Sequence, residues 1–259
     1  MDLRLKNKVY VVSGGAKGIG EAICRTLVEE GAIPVILGRS EKEAFKLHEE
    51  FMAAGNMSYY IIKELASSDN CHEAIDEVVG RFGRIDGIIN NAGVNDGAGL
   101  EKGVEAFESS VRTNLFHYYY LVHYALAELK RNKGSIINIS SKTALTGQGG
   151  TSGYAASKGA QLALTREWAV ELAPFGVRVN AIVPAEVMTP LYSTWLKTFE
   201  DPEVKLQSIT SKIPLGKRMT LSEEIAATAV FLLSDRSGHT TGQWITVDGG
   251  YVHLDRAIT

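Results

Sequence analysis

Along the chain, short and nearly unbroken runs of β-branched and other apolar residues alternate with longer stretches whose apolar positions recur every three or four residues. The short runs cover 8–12, 33–38, 58–63, 85–90, 135–140, 177–183 and 244–247. Because most are continuous rather than alternating, they predict strands covered on both faces, as in a parallel sheet between helical layers. The helical stretches carry recognisable starts. Ser40 with Glu43 forms a capping-box signal ahead of Ala44, Leu47 and Phe51, and Thr220 with Glu223 repeats it ahead of Ile225, Ala229 and Leu232. Strand–helix alternation over the whole length, with no linker-like shift in composition and no repeat, predicts one α/β domain spanning 1–259, with seven strands, mostly parallel, and helices on both faces.

One segment breaks the alternation. Residues 185–219 hold Pro190, Pro202 and Pro214 together with Met188, Tyr192, Trp195, Leu196 and Phe199, all of which read as exposed. Two short helices with an apolar face fit this pattern. They follow the carboxyl end of a strand, where ligands bind in open α/β sheets, so the segment reads as a substrate lid.

Composition narrows the class. The charge balance of 27 basic against 30 acidic residues gives −3, which argues against a nucleic-acid partner bound through phosphate neutralisation. The two cysteines, Cys24 and Cys71, make no disulfide framework, and no Cys/His pair has metal-site spacing. No apolar run approaches the roughly 18 residues of a membrane helix, and the first residues lack a signal-peptide core, so the expectation is a cytoplasmic protein with no membrane partner and no metal. Glycine stands out, at 26 residues of 259, about 10% against an ordinary ~7%.

Several glycines cluster after the first strand, in Ser13-Gly14-Gly15-Ala16-Lys17-Gly18-Ile19-Gly20. Glycines at 14, 18 and 20 let the backbone turn tightly and approach a pyrophosphate, which the amides opening the next helix can bind. Strand, glycine turn and helix at the start of an α/β chain point to a Rossmann-type, doubly wound dinucleotide-binding domain. The second strand bears on which dinucleotide it takes. A free ribose 2′-hydroxyl usually meets a carboxylate at that strand's tip, and a 2′-phosphate meets an arginine. Here the strand ends in Gly38-Arg39-Ser40, with no carboxylate, and Lys17 could add a second cation. The expectation is NADP, with NAD possible if Arg39 is only a solvated loop charge.

The run Gly153-Tyr154-Ala155-Ala156-Ser157-Lys158 places Tyr154 and Lys158 at i and i+4, on one helix face, and Ser141 closes a strand thirteen positions before Tyr154. With the glycine turn, Asn90-Asn91-Ala92-Gly93, Asn114, the stretch from Asn180 to Pro184 and the tail Val247-Asp248-Gly249-Gly250, this pattern resembles the short-chain dehydrogenase/reductase family over essentially the whole chain. The resemblance implies a catalytic set of Asn114, Ser141, Tyr154 and Lys158. Tyr154 would take the proton of a substrate hydroxyl, Ser141 would hold the same oxygen, Lys158 would lower the tyrosine's pKa and bind the nicotinamide ribose, and Asn114 would hold a water. It also implies cofactor contacts from Gly14, Lys17, Gly18, Ile19, Gly20, Arg39, Glu64, Leu65, Asn91, Ala92, Gly93, Pro184, Val187 and Thr189, besides Tyr154 and Lys158. Glu64 stands where the family often has Asp, Ala185 stands where it usually has Gly, and Ser13 replaces its more frequent threonine. A tyrosine of ordinary pKa, about 10, is a poor base at neutral pH, so the lysine and the positive ring must favour the phenolate. Family members commonly form tetramers, which implies a homotetramer, and the aromatic run His117-Tyr118-Tyr119-Tyr120 with His123 reads as subunit packing.

Two segments are less generic. Pro184-Ala185-Glu186-Val187-Met188-Thr189-Pro190 brings a carboxylate toward the substrate side, and the tail from Gly250 through His253 to Arg256 and Ala257 adds polar side chains. Both resemble the L-fucose dehydrogenase branch of the family, which oxidises the anomeric hydroxyl of an aldose to a lactone. A small-molecule sugar site needs several hydrogen-bonding groups, and Lys142, Gln148, Glu186 and His253 are the candidates. The alternative is a carbonyl reductase such as a 3-oxoacyl thioester reductase, for which Arg112, Lys130, Arg131 and Lys133 would offer an acidic carrier a basic patch. A third reading, a regulator that binds NADP without turnover, is disfavoured because all four catalytic positions are filled.

Overall fold

The computed structural model describes residues 1–254. Its elements alternate as the pattern predicts: β1 (Val9–Ser13), α1 (Gly18–Glu29), β2 (Ile33–Gly38), α2 (Glu41–Ala53), β3 (Tyr59–Ile62), α3 (Ser68–Phe82), β4 (Gly87–Asn90), α4 (Val104–Val111), α5 (His117–Tyr124), α6 (Leu126–Asn132), β5 (Ser135–Ile139), α7 (Ser152–Leu172), β6 (Arg178–Pro184), α8 (Pro190–Leu196), α9 (Pro202–Thr210), α10 (Ser222–Leu233) and β7 (Trp244–Val247). The strands form one sheet in the order β3-β2-β1-β4-β5-β6-β7, and all six pairings are parallel. This is the doubly wound Rossmann arrangement.

Alternate residues of each strand feed two cores. Val12, Ile36, Ile89 and Ile137 face α1, α2 and α10 through Ile23, Leu27, Leu47, Phe51, Ile225 and Leu232. Val11, Val35, Ile88 and Ile136 face α3, α5 and α7 through Ile75, Val78, Tyr118, Leu121, Trp168 and Leu172. Continuous apolar strands are therefore required, because both faces are dry. Cys24 and Cys71 are free thiols buried one in each core. No helix among the described residues is long and apolar enough to cross a membrane.

The two capping signals resolve differently from expectation. Ser40 is the N-cap of α2, but its hydroxyl makes no capping bond, and Glu43 pairs with Lys17 across the glycine turn at 2.9 Å. In α10 the cap lies one residue later than Thr220. The Glu224 carboxylate accepts from the backbone N–H of Leu221 at 2.8 Å, and leucine has no side-chain acceptor to return the bond. The segment 185–219 does hold two short helices, α8 and α9, but Leu196 is buried rather than exposed.

The strand order reverses its direction of growth between β1 and β4. There the connections leave to opposite faces and open a crevice at the strands' carboxyl ends. The glycine turn after β1 and the loop after β4 form its walls.

Candidate active site

The crevice is a cleft of about 430 Å³ running from Arg39 and Glu64 at one end to Ser141, Tyr154 and Tyr192 at the other. Its first wall is the glycine turn. Gly14 (φ +65°) and Gly18 (φ +55°) adopt the left-handed backbone that favours glycine, and a Cβ on Gly14 would come within 3.0 Å of Ala92 Cα. Gly20 does not line the cleft. It lets α1 lie against the turn, since a Cβ there would stand 2.2 Å from the Gly14 carbonyl oxygen. Asn91 holds the turn to the second wall: its Nδ2 donates to the carbonyls of Ser13 (3.0 Å) and Gly14 (3.3 Å). The Ser13 hydroxyl accepts from the amides of Asn91 and Ala92, so the serine does what a threonine there would do. No side chain caps the N-terminus of α1, which leaves its first amides and the helix dipole facing the cleft. These features fit a dinucleotide whose pyrophosphate lies on the turn.

At the adenosine end the tertiary structure changes the charge picture. Arg39 Nη1 donates to Glu64 Oε2 at 2.9 Å, and Lys17 is paired with Glu43. The strand tip lacks a carboxylate in sequence, yet two carboxylates arrive from β3's end and from α2. Both cations expected to meet a 2′-phosphate are therefore already partnered, in exposed pairs that a ligand can exchange.

At the other end the residues expected to be catalytic converge. Ser141 follows β5, and Tyr154 and Lys158 stand on the first turns of α7. Ser141 hydrogen-bonds Tyr154, and the Lys158 ammonium nitrogen lies 5.4 Å from the centre of the Tyr154 ring. Burial dominates both ionisations. It pushes the Tyr154 phenol up, opposed by the Ser141 bond, and brings Lys158 down to about 7. In the protein alone the tyrosine is thus not yet lowered as expected, because desolvation outweighs the help of its neighbours. Asn114 is fully buried in a single π-helical turn, Arg112–Phe116, a feature frequent at functional sites. Its Oδ1 accepts from the Val94 amide (2.7 Å) and its Nδ2 donates to the Ser110 carbonyl (3.0 Å), while its own carbonyl accepts from Gln161 (2.8 Å). The side chain is committed, so a bound water would fall to the carbonyl's second lone pair.

The remaining cofactor candidates, Lys17, Ile19, Leu65, Ala92, Gly93, Pro184, Val187 and Thr189, all line the cleft. The substrate candidates divide. Lys142 Nζ is ion-paired with Glu186 Oε1, the Tyr192 hydroxyl donates to Glu186 Oε2 at 2.7 Å, and Lys142 lies 4.5 Å from the centre of the Tyr251 ring. None of the four candidates is in the cleft lining, which Ser141, Ala185 and Tyr192 form at this end; Gln148 and His253 are in addition exposed, and Arg256 and Ala257 lie outside the described residues.

The aromatic run expected to pack subunits together divides, with Tyr119 and His123 exposed. His117 and Tyr118 are buried within the subunit, His117 in the cleft wall with Nε2 bonded to the Ala92 carbonyl (3.2 Å). The available signal was spacing: they follow Asn114 by three and four positions, on its own helix face. Val94 carries no comparable signal, and Tyr192, expected only as an exposed residue of the 185–219 segment, is half-buried in the cleft lining. The basic residues 130, 131 and 133 end α6 at the amino end of β5, opposite the cleft, with Arg131 paired to Glu128 and Lys130 over the Phe175 ring.

Comparison with known proteins agrees with this geometry. A family profile described as enoyl-(acyl carrier protein) reductase matches residues 14–252. The L-fucose dehydrogenase of Rattus norvegicus is 36% identical over 95% of this chain and 90% of its own length. The 3-oxoacyl-[acyl-carrier-protein] reductase FabG of Thermotoga maritima is 35% identical over 96% and 100% respectively. The crystal structure of the Cj0485 dehydrogenase superposes with a TM-score of 0.92 at 47% identity, covering 99% of this chain and 98% of that one. A tyrosine, lysine and serine gathered at the end of a dinucleotide cleft, matched along nearly all the chain by relatives of this kind, make the protein a member of the short-chain dehydrogenase/reductase family and an NAD(P)-dependent oxidoreductase acting on CH–OH groups.

Proposed function

We propose that the protein oxidises an aldose, such as L-fucose, at its anomeric hydroxyl to the lactone, using NADP or NAD. The observation that carries this reading is the polar cluster of Lys142, Glu186, Tyr192 and Tyr251 beside Ser141. An ion pair this enclosed, with its side chains 13% and 10% exposed, has lost much of its hydration and is hard to account for as a stabilising device. As a set of donors and acceptors ready to exchange partners with sugar hydroxyls, it has a purpose, since a polar site discriminates by leaving no buried group unpaired. Tyr192 is also half-buried, and burial pushes its phenol up to about 12, so it remains a neutral donor.

The nicotinamide, when bound, supplies a hydride acceptor for the carbon that carries the reacting hydroxyl. Tyr154 takes the hydroxyl proton on its phenolate oxygen, Ser141 donates to the same substrate oxygen and fixes its position, and a carbonyl forms as carbon loses hydride. Lys158 supplies the positive charge that makes the phenolate accessible. Assembly as a homotetramer is part of the proposal. It is supported by exposed Val104 and Phe107 on α4 and Val170 on α7, two helices in contact with each other.

The test is reduction of NADP and NAD at mildly alkaline pH with L-fucose, L-galactose and D-arabinose, followed by near-ultraviolet absorbance. Turnover is expected on at least one of these sugars. A Tyr154→Phe variant should keep cofactor binding and lose nearly all rate, and Glu186→Gln should raise the sugar KM about tenfold or more, the order of one lost charged hydrogen bond. Silence on every sugar, with activity on ketones or acyl thioesters, would overturn the aldose reading in favour of carbonyl reduction.

A further inference from the structure

We propose that the buried hydroxyl of Tyr118 is a positioning residue that acts through Lys158: it accepts a hydrogen bond from the Lys158 ammonium at 3.3 Å and so holds that charge beside Tyr154. Lys158 is 3% exposed, and no ion pair joins it to a carboxylate among the described residues. Its Nζ donates to two neutral acceptors, the Ile139 carbonyl at 2.7 Å and the Tyr118 hydroxyl. The hydroxyl's own proton goes to the same Ile139 carbonyl at 3.0 Å. That bond fixes the rotor and turns the oxygen's lone pairs toward Nζ, so Tyr118 can act there only as an acceptor.

Among the described residues, the groups facing Lys158 offer it no carboxylate. From its own helix comes Tyr154; from α5 come Tyr118 and His117; β5 offers only the Ile139 carbonyl, and beside the loop after β4 a Cβ on Gly93 would stand 3.6 Å from Nζ and 3.0 Å from the neutral Asn114 Oδ1. His117 stays neutral, pushed down to about 3 by burial and then by Lys158 itself, and adds no competing charge at working pH. Burial raises the Tyr118 phenol well above its ordinary value, so it is no rival base to Tyr154. Desolvation has already brought Lys158 to about 7, and loss of one of two acceptors must lower it further.

The consequence for catalysis follows from coupled titration. The working state is the singly protonated pair, Tyr154 phenolate with Lys158 ammonium. Its share against the doubly neutral form is set by the difference between the two microscopic values. Lowering the lysine's value reduces the working share at every pH and moves the acid limb of the rate profile downward.

The inference rests on Lys158 acting as the ammonium partner of Tyr154, not on which substrate is oxidised. It is tested with Tyr118→Phe, which deletes only the hydroxyl, and with 3,5-difluorotyrosine at 118, a weaker acceptor of nearly the same shape. In the whole protein without cofactor or substrate, 13Cε-lysine NMR, with Lys158→Arg to assign the resonance, should show the Lys158 midpoint lowered by about one pH unit in Tyr118→Phe and by less in the fluorinated protein. With whichever alcohol or carbonyl substrate the unmodified protein turns over, kcat should fall about tenfold, KM should stay within about twofold, and the acid limb should shift down with the lysine midpoint. An unmoved lysine midpoint, or an unchanged kcat and profile, would overturn the proposal. Because the NMR titration contains no substrate, failure of the aldose reading alone would leave it intact.

Discussion

At the scale of single residues, the site is governed by desolvation. The proposed mechanism uses Tyr154 and Lys158 in charged forms, and burial disfavours both charges, raising one pKa and lowering the other. The cofactor end follows a different rule, since Arg39 and Glu64 are exposed and their pairing is cheap to break. A 2′-phosphate must nevertheless compete with Glu64 for the guanidinium. Glu64→Gln should therefore improve NADP relative to NAD by about two- to fivefold, the range of roughly 0.5–1 kcal/mol for an exposed pair. Calorimetric Kd values for the two cofactors measure this ratio. An unaltered ratio would mean that Arg39 does not meet the phosphate. The sequence made Arg39 legible and its partner illegible, because Glu64 belongs to the next strand's exit and approaches only when β2 and β3 pair.

At the scale of elements, the site depends on where helices and strands end. Gly20 lets α1 start against the turn, and Ser141, Tyr154 and Lys158 gather because β5 and the start of α7 are adjacent in space. The opposite end of the sheet shows the same dependence. Arg178, at the first position of β6, donates to the carbonyls of Leu232, Leu233, Ser234 and Thr240 and to the Ser237 hydroxyl, closing the C-terminus of α10. The Leu232, Ser234 and Thr240 carbonyls also accept from Ser135, Ser237 and Asn180, so removing the guanidinium takes the donor from the Leu233 carbonyl and weakens a shared network at the helix end. Arg178→Ala should cost about 2–3 kcal/mol, lowering Tm by roughly 5–10 °C at this chain length. Scanning calorimetry checks it. Cofactor affinity should be far less affected, since the two ends of the sheet are joined only through the strands.

At the scale of the whole molecule, two dry cores on either side of one sheet tie the site's chemistry to global stability. His117 is the clearest case, because it belongs to α5, which packs into one core, and to the cleft wall. Its folded-state pKa, about 3, lies below its ordinary value of 6.5. Between those values the unfolded chain binds one proton more than the folded chain, so stability falls as pH drops through the window. The fall is up to about 1.4 kcal/mol per unit and is absent above about 6.5. Denaturant unfolding at pH 5 and pH 7 should show a smaller difference for His117→Gln than for the unmodified protein, by about one proton's slope. Equal differences would show that His117 titrates normally. The helices α8 and α9 belong to this scale as well: α8 reaches the cleft through Pro190, Leu191 and Tyr192, and no residue of α9 lines it.

What the sequence determined by itself was local in origin. The unbroken apolar runs require strands covered on both faces. The glycine turn between a strand and a helix makes the dinucleotide cradle, and the i and i+4 spacing puts Tyr154 and Lys158 on one face. Each depends on neighbours within a few positions, where backbone geometry is known in advance. The tertiary structure alone decided which distant side chains meet. Arg39 and Glu64 are 25 positions apart, Tyr118 and Lys158 are 40, and Lys142 and Glu186 are 44. Their contacts follow from the order in which strands pair and from which helix end each crossover delivers to the cleft. No hydrophobic period carries that information, because an exposed arginine and a paired one leave the same trace in a sequence.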